Sequence, residues 1–521
     1  MSQNVAQIGA LGRQAVQRRD WETVGRCAGA LIGRNPGDPE GHFLAGLAER
    51  GVRRPRQAAE HFQQALLLNA GRHDAALELA SLYSVTGRHA QAFDLLEQYV
   101  PRLGNSPRYL DIAGLAYSAI GLPERALPLH RRANELQPGV PKFMANLAAC
   151  CVTSGDIEES RALYLKLLER DPTHQRNHYQ LAQLGRAKDD THLRQMQALL
   201  ARSQSPPPQN IFLHYAISKE LEDLERWEEA FEHFRQAGDA AASVSNYDVA
   251  TDVGLIDTII EVCNADWLGE PGVRHDAPVG ELQPLFIVGL PRTGTTLTER
   301  ILTSHSKVTS IGETMMLETE LCRLGGDQAM SPAVVRAAAQ GDMAQLAAGY
   351  LAAVRYRVGP KPMFIEKYPE NFHYLGFIAR AWPQAPLVYL RRHPLDACLA
   401  LYKQSYFRYA YKLEDLGRYY IAHDRLLRHW RTVLGARLIE VSYESLVSGP
   451  EPRIRELLAR LGLDFEPACL DIEKNEAASA TASAVQVREP IHARSVDRWR
   501  HFAQQLEPLR KMLEDAGIPA A

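Results

Sequence analysis

PLFIVGLPRTGTTLTERIL, running from Pro284 to Leu302, reads as a strand, a glycine-bounded turn and a helix in succession. Leu285 to Val288 form a short apolar run suited to a buried strand, Gly289 and Gly294 bracket the turn, and helical spacing begins at Thr295. Such a turn directs backbone N–H groups at an anion, and the helix N-terminus behind it adds a favourable dipole. The Gly289-x-x-x-x-Gly294 spacing matches the phosphate loop of nucleoside triphosphatases, yet Thr295 stands where that loop carries a lysine for the β- and γ-phosphates. Arg292 is the positive charge that the loop keeps. The pattern points to a phosphate-bearing donor other than an ATP–magnesium complex.

Downstream, the apolar runs MFIEK, LVYLRR and LIEVSY alternate with helical patterns, which predicts a mostly parallel sheet covered by helices. The loop then lies at the carboxyl end of the first strand, where open α/β sheets bind ligands. Upstream, from Trp267 to Pro284, Gly269, Pro271 and Pro278 mark a linker.

The first half of the chain is repetitive. Gly87, Gly121 and Gly155 recur every 34 residues, each closing an alanine-rich helix, and Ala92, Ala126 or Ser160 follows five residues later. Pro138 and Pro172 close units at matching places, and Trp227, Ala230, Phe234 and Ala237 repeat the pattern once more. Small residues let paired helices approach, and the proline stops the second helix. These features resemble the tetratricopeptide repeat, with about six units, degenerate ones included, between Gln7 and roughly residue 245. The expected organisation is an all-α repeat solenoid over 1–250, a connecting helix and linker over 251–283, and an α/β, P-loop-like domain over 284–521.

A chain of 521 residues exceeds one ordinary core, and 45% hydrophobic with 23% charged residues is a globular composition. A net charge of −3 gives no global reason to expect nucleic acid, so a basic site must be local. No segment reaches the roughly 18 uninterrupted apolar residues of a membrane helix, and the opening residues lack a signal-peptide core. Seven scattered cysteines argue for reduced thiols in a cytoplasm rather than a zinc site or disulfide framework.

FIEKYPENF (Phe364 to Phe372), LVYLRRHPLDACLALYKQSY (Leu387 to Tyr406), Gly312–Glu313 and VSYESL (Val441 to Leu446) join GLPRTGTTL in an order that resembles cytosolic and protein-tyrosine sulfotransferases. The resemblance extends especially to bacterial chains in which tetratricopeptide repeats precede a sulfotransferase domain. It implies a donor, 3′-phosphoadenosine 5′-phosphosulfate, and no metal. Arg292, Thr293, Gly294, Thr295, Thr296 and Leu297 would cradle the 5′-phosphosulfate, and Arg392 the 3′-phosphate, for which a planar guanidinium is suited. Tyr443, Ser483 and Arg498 match further donor contacts, and NEAASATASAVQV is expected to be a loop over the donor.

Three residues are assigned to the transfer itself. Glu313 is the candidate base, with a helix N-terminal role near Met315 as the alternative. Lys367 and Arg292 are assigned to the departing bisphosphate. His305 and His393 are read as structural, and the run from Tyr402 to Lys412 as a helix flanking the adenine or acceptor pocket. One departure stands out: Ala400 occupies the place of a serine that relatives use on the 3′-phosphate, a loss of about 1.5 to 3 kcal/mol, and Ser405 falls too late to replace it. Sulfuryl transfer to an acceptor hydroxyl of a peptide, protein or small compound, peptidyl tyrosine among them, is therefore set beside two alternatives. These are a repeat scaffold with a weakened domain and an ATP-dependent phosphotransferase. The repeats either present the acceptor or mediate homo-oligomerisation; neither nucleic acid nor membrane is an expected partner.

Overall fold

A computed structural model describes residues 5–203, 206–269, 283–481 and 483–520. The chain divides into two compact units, Met1–Cys150 with Ala353–Tyr356 and Cys151–Ala352 with Arg357–Ala521.

In the first unit successive helices pair: Val5–Arg18 with Trp21–Arg34, Pro39–Gly51 with Pro55–Leu68, His73–Val85 with His89–Tyr99, and Pro107–Ala119 with Pro123–Leu136. Proline opens four of them, where an absent N–H removes no helical hydrogen bond. Ala58, Ala92 and Ala126 are fully buried, and a Cβ on Gly46 would come within 2.6 Å of the Phe62 ring. Small residues thus set how closely the helices pack.

Gly87 and Gly121 take the left-handed conformation, at φ 77° and 78°, that ends their helices. Arg19 and Arg53 take the same conformation at φ 58° and 63°, at the same 34-residue spacing but without glycine. Fourteen α-helices lie between Val5 and Ser243 among the described residues, two more than six paired units supply. The extra pair is Gln175–Gln183 with Thr191–Arg202, whose connection holds no residue of positive φ and so carries no glycine signature.

The second unit contains the helices Ile157–Arg170, Gln175–Gln183, Thr191–Arg202, Ile211–Asp223, Trp227–Ser243 and Val249–Val262, followed by the sheet. Of the expected linker, residues 270–282 lie outside the described residues. Strands β1 (Gln283–Gly289), β2 (Val308–Ser310), β3 (Met363–Glu366), β4 (Leu387–Arg391) and β5 (Leu438–Ser442) are all parallel, in the order β2-β3-β1-β4-β5. The apolar runs become strands because both faces are covered: Leu285 to Val288 and Phe364 to Ile365 have no exposed surface. β2 is only three residues long and lacks such a run, so periodicity does not reveal it.

β1 sits between β3 and β4, so the chain leaves the carboxyl ends of these three strands around a shared crevice. At the end of β1, Gly289 has φ +142° and lies beside Leu390, whose carbonyl oxygen would be 2.5 Å from an added Cβ. Gly289→Ala is expected to destabilise the sheet by about 2 kcal/mol or more, lowering the denaturant midpoint of the full chain. An unchanged midpoint would contradict this close approach.

Candidate active site

The turn after β1 leads into the Thr295–Thr303 helix through Gly294 at φ +102°, which is held against the Tyr443 ring. Thr293 Oγ1 donates to the Leu290 carbonyl at 2.6 Å, closing the turn, and Thr295 and Thr296 are buried in it. Arg292 adopts a left-handed φ of +69°, a strained choice for a residue that carries a Cβ. Its guanidinium donates to Ser483 and, at 3.1 Å, to Gln486. The covering segment is anchored from below: Arg300, 4% exposed, donates to the carbonyls of Asn475 and Ala477. Burial pushes the Arg300 pKa down to about 10.

At the end of β3, Lys367 has no exposed surface and donates to Glu313, with Glu299 at 3.5 Å. Its backbone N–H donates to Gly312 at 3.0 Å, bringing the segment after β2 alongside. The expected base and the expected leaving-group cation are therefore partners of one another. One residue earlier, Glu366 is fully buried and accepts from Thr314 at 2.6 Å and from Tyr350.

At the end of β4, Arg392 donates to the Arg292 carbonyl at 2.9 Å and to the Ser495 carbonyl, and packs 4.9 Å from the Tyr443 ring centre. Arg292 Nε and Arg392 Nε are buried donors without a partner. His393 stacks on Trp499, and Asp396 accepts from the Asp497 and Trp499 N–H groups at 2.8 and 2.9 Å, which fastens the C-terminal segment. His305 accepts from Lys307 N at 3.0 Å and contacts the Asp464 carbonyl at 3.0 Å, so both histidines have structural partners.

These elements line a cavity of about 1090 Å³, entirely within the second unit, which also receives Arg498, Ala400 and Lys403. Ala400 and Lys403 lie about one turn apart, at the end of the Pro394–Tyr402 helix. Lys403 and Arg498 both donate to Glu222 from the Ile211–Asp223 helix, the latter at 2.9 Å. Burial would raise the Glu222 pKa, but the two cations hold it below the usual carboxylate range, so it is ionised. Neither Glu222 nor Lys403 was singled out from the sequence. Lys403 carries one signal, its three-residue spacing from Ala400, whereas Glu222 sits in a helix whose polar positions look like an exposed face.

Residues 284–467 match the model of the sulfotransferase family, and residues 50–115 and 121–184 match that of the tetratricopeptide repeat. Residues 284–467 form a sulfotransferase-family domain. The chain is 24% identical over 237 residues to a Caenorhabditis briggsae protein named "Putative protein-tyrosine sulfotransferase", covering 42% of this chain and 80% of that one. It is 27% identical over 404 residues to an Aquifex aeolicus (strain VF5) protein named "Uncharacterized protein", covering 75% of this chain and 52% of that one. The chain thus spans about half the length of this relative. A tetratricopeptide repeat protein from Parabacteroides merdae is similar in structure, at 16% identity and a TM-score of 0.34, over 48% of this chain and 96% of that one. Among the described residues no helix is long and apolar enough to cross a membrane, and no disulfide joins the seven cysteines, all buried.

Within the sulfotransferase domain, burial pushes the Glu366 pKa from 4.5 up to about 7. The folded protein therefore holds this proton more tightly than the unfolded chain does. The contribution of Glu366 to stability is highest below about pH 4.5 and falls, by of the order of 3 kcal/mol, as pH rises to about 7. Denaturant midpoints measured between about pH 5 and pH 8 should decline more steeply for the wild type than for Glu366→Gln. Parallel profiles would exclude a perturbed carboxyl at this position.

Proposed function

We propose that the protein transfers the sulfuryl group of 3′-phosphoadenosine 5′-phosphosulfate to an acceptor hydroxyl, with a peptidyl tyrosine as the leading acceptor. The observation that carries this reading is the convergence of the β1 loop, Arg392 and Glu313, the partner of the buried Lys367, at one crevice. The loop supplies backbone donors and Arg292, and the buried, unpartnered Nε atoms of Arg292 and Arg392 suit an anionic ligand. Residues Arg292 to Leu297, with Ser483 accepting from Arg292, would hold the phosphosulfate; Arg392 would hold the 3′-phosphate, with Tyr443 packed against it and Arg498 completing the nucleotide site. Lys403 adds a cation that compensates in part for the hydroxyl missing at Ala400.

In the transfer, the acceptor oxygen forms a bond to sulfur as the bond from sulfur to the phosphate oxygen breaks. The electron pair leaves with the bisphosphate, whose growing charge is met by Lys367 and Arg292. The acceptor proton passes to Glu313, which Lys367 keeps oriented toward the cavity. Residues 1–250 would present the acceptor, 251–283 connect, and 284–521 perform the chemistry.

Labelled donor and a tyrosyl peptide should give transfer that falls about a hundredfold or more in Glu313→Ala and in Lys367→Ala. Transfer that survives both changes would remove these roles. Adenosine 3′,5′-bisphosphate should raise Tm more than ATP–magnesium does, and the reverse order would favour phosphoryl transfer. Ala400→Ser should tighten bisphosphate binding about tenfold by calorimetry, since a hydroxyl on a charged acceptor is worth about 1.5 kcal/mol or more.

A further inference from the structure

The same cavity also has a group of acidic lining residues apart from the Glu222 pair. Asp252 of the Val249–Val262 helix, Glu318 of the Met316–Leu324 helix and Glu370 after β3 all line it. Each carboxylate accepts from one tyrosine: Asp252 from Tyr247 at 2.6 Å, Glu318 from Tyr374 at 2.9 Å, and Glu370 from Tyr368 at 2.9 Å. Among the described residues none of the three forms a salt bridge, unlike Glu313, Glu299 and Glu222. A single tyrosine donor leaves most of the acceptor capacity of each carboxylate unused.

A different kind of group points to a ligand among the same residues. Tyr409 lines the cavity, is 5% exposed, and its hydroxyl is buried without a hydrogen-bond partner. Its ring lies flat on that of Tyr419, at 3.9 Å and 4°, so the hydroxyl is held by stacking rather than by a polar partner. Glu370 and Asp252 are its electrostatic neighbours. Burial, helped by repulsion from Glu318, Asp252 and Glu313 and opposed by the Tyr368 hydrogen bond, pushes the Glu370 pKa up to about 6. The carboxylates thus lie within electrostatic reach of one another and of the candidate base. Glu318 and Asp252 are likewise raised by burial. His373, on the same wall, is held neutral at a pKa of about 4 by burial, so it brings no positive charge.

Unpaired carboxylates gathered in a screened, aromatic-walled space bind a cation better than water does, because a ligand ammonium removes their repulsion and uses their free lone pairs. Aromatic faces add to the attraction. We propose that Asp252, Glu318 and Glu370, with Tyr409, form an acceptor subsite for an ammonium group, so that the acceptor is a phenol or other hydroxyl compound bearing a nearby amine. The amine belongs either to a small molecule or to a basic side chain beside a tyrosine in a polypeptide. This selectivity rests on the sulfuryl-transfer reading for its purpose, but not for its detection.

Calorimetric titration of the full chain with tyramine, tyrosol and phloretic acid compares the same phenol with a positive, neutral or negative tail. Tyramine should bind about tenfold or more tightly than tyrosol, and phloretic acid more weakly than both. Lysine-flanked tyrosyl peptides should exceed glutamate-flanked ones in the same order. Tighter binding of the lysine peptide than of tyramine would assign the polypeptide source, and the reverse a small amine; either supports the subsite. Glu370→Gln and Glu318→Gln should each narrow the tyramine preference, while their Tm values report folding. Equal affinities for the three phenols, or preference for the anionic one, would overturn the subsite. Sulfuryl transfer is judged apart, by whether adenosine 3′,5′-bisphosphate raises Tm in the same preparation.

Discussion

A lysine with no exposed surface must be paired, because an isolated ammonium in a protein interior is too poorly solvated to stay charged. Lys367 answers that requirement by drawing in Glu313 from the segment after β2 and Glu299 from the helix after the β1 loop. Two segments more than 50 residues upstream of Lys367 are thereby fixed at the carboxyl end of β3. The pair holds Glu313, which lines the cavity, in one orientation, and it ties the helix behind the anion-binding turn to the neighbouring strand. The arrangement of the crevice follows from satisfying one buried charge.

A similar constraint acts at the other side of the crevice. Lys403 and Arg498 are brought close together, and Glu222 relieves their repulsion from a helix that precedes the sheet in the chain. Burial pushes the Lys403 pKa down while Glu222 opposes that shift, so each group depends on the other to remain charged. A ligand phosphate at these cations would compete with Glu222 for the same donors. The cavity wall is therefore built by both the helical segment and the sheet within the second unit.

Much of the fold was legible because its signals are local. Leu285 to Val288, the Gly289 to Gly294 turn and the runs around Phe364 and Val388 each predict their own element, and all became strands or turn in a parallel sheet. The repeat period was legible where glycine holds the left-handed helix end. It faded at Arg19, Arg53 and Glu225, which adopt the same φ with a side chain that carries no such signal. In the site, the residues of the β1 loop, Lys367, Arg392 and Ser483 were marked by motif; Arg292, Arg392 and Ser483 line one cavity, and Lys367 lies buried behind Glu313, which lines it. Glu222, Lys403 and Asp252 were not, since their significance comes from burial against segments far along the chain.

The division of charge within one cavity also limits what can occupy it. Arg292 and Arg392 line the cavity from the β1 loop and the end of β4, whereas Asp252, Glu318 and Glu370 line it as carboxylates close to one another and to Glu313. A ligand that is anionic throughout would meet repulsion at these carboxylates, and a wholly cationic one at the arginines. Two ligands of opposite charge meeting near Glu313 and Lys367 would relieve both. A transfer of the proposed kind would use such polarity to bind donor and acceptor in a fixed order, with their reacting atoms held in line. In the proposed transfer, the sign of the wall would make that distinction, and Glu313, held by Lys367, is in electrostatic reach of the acidic group.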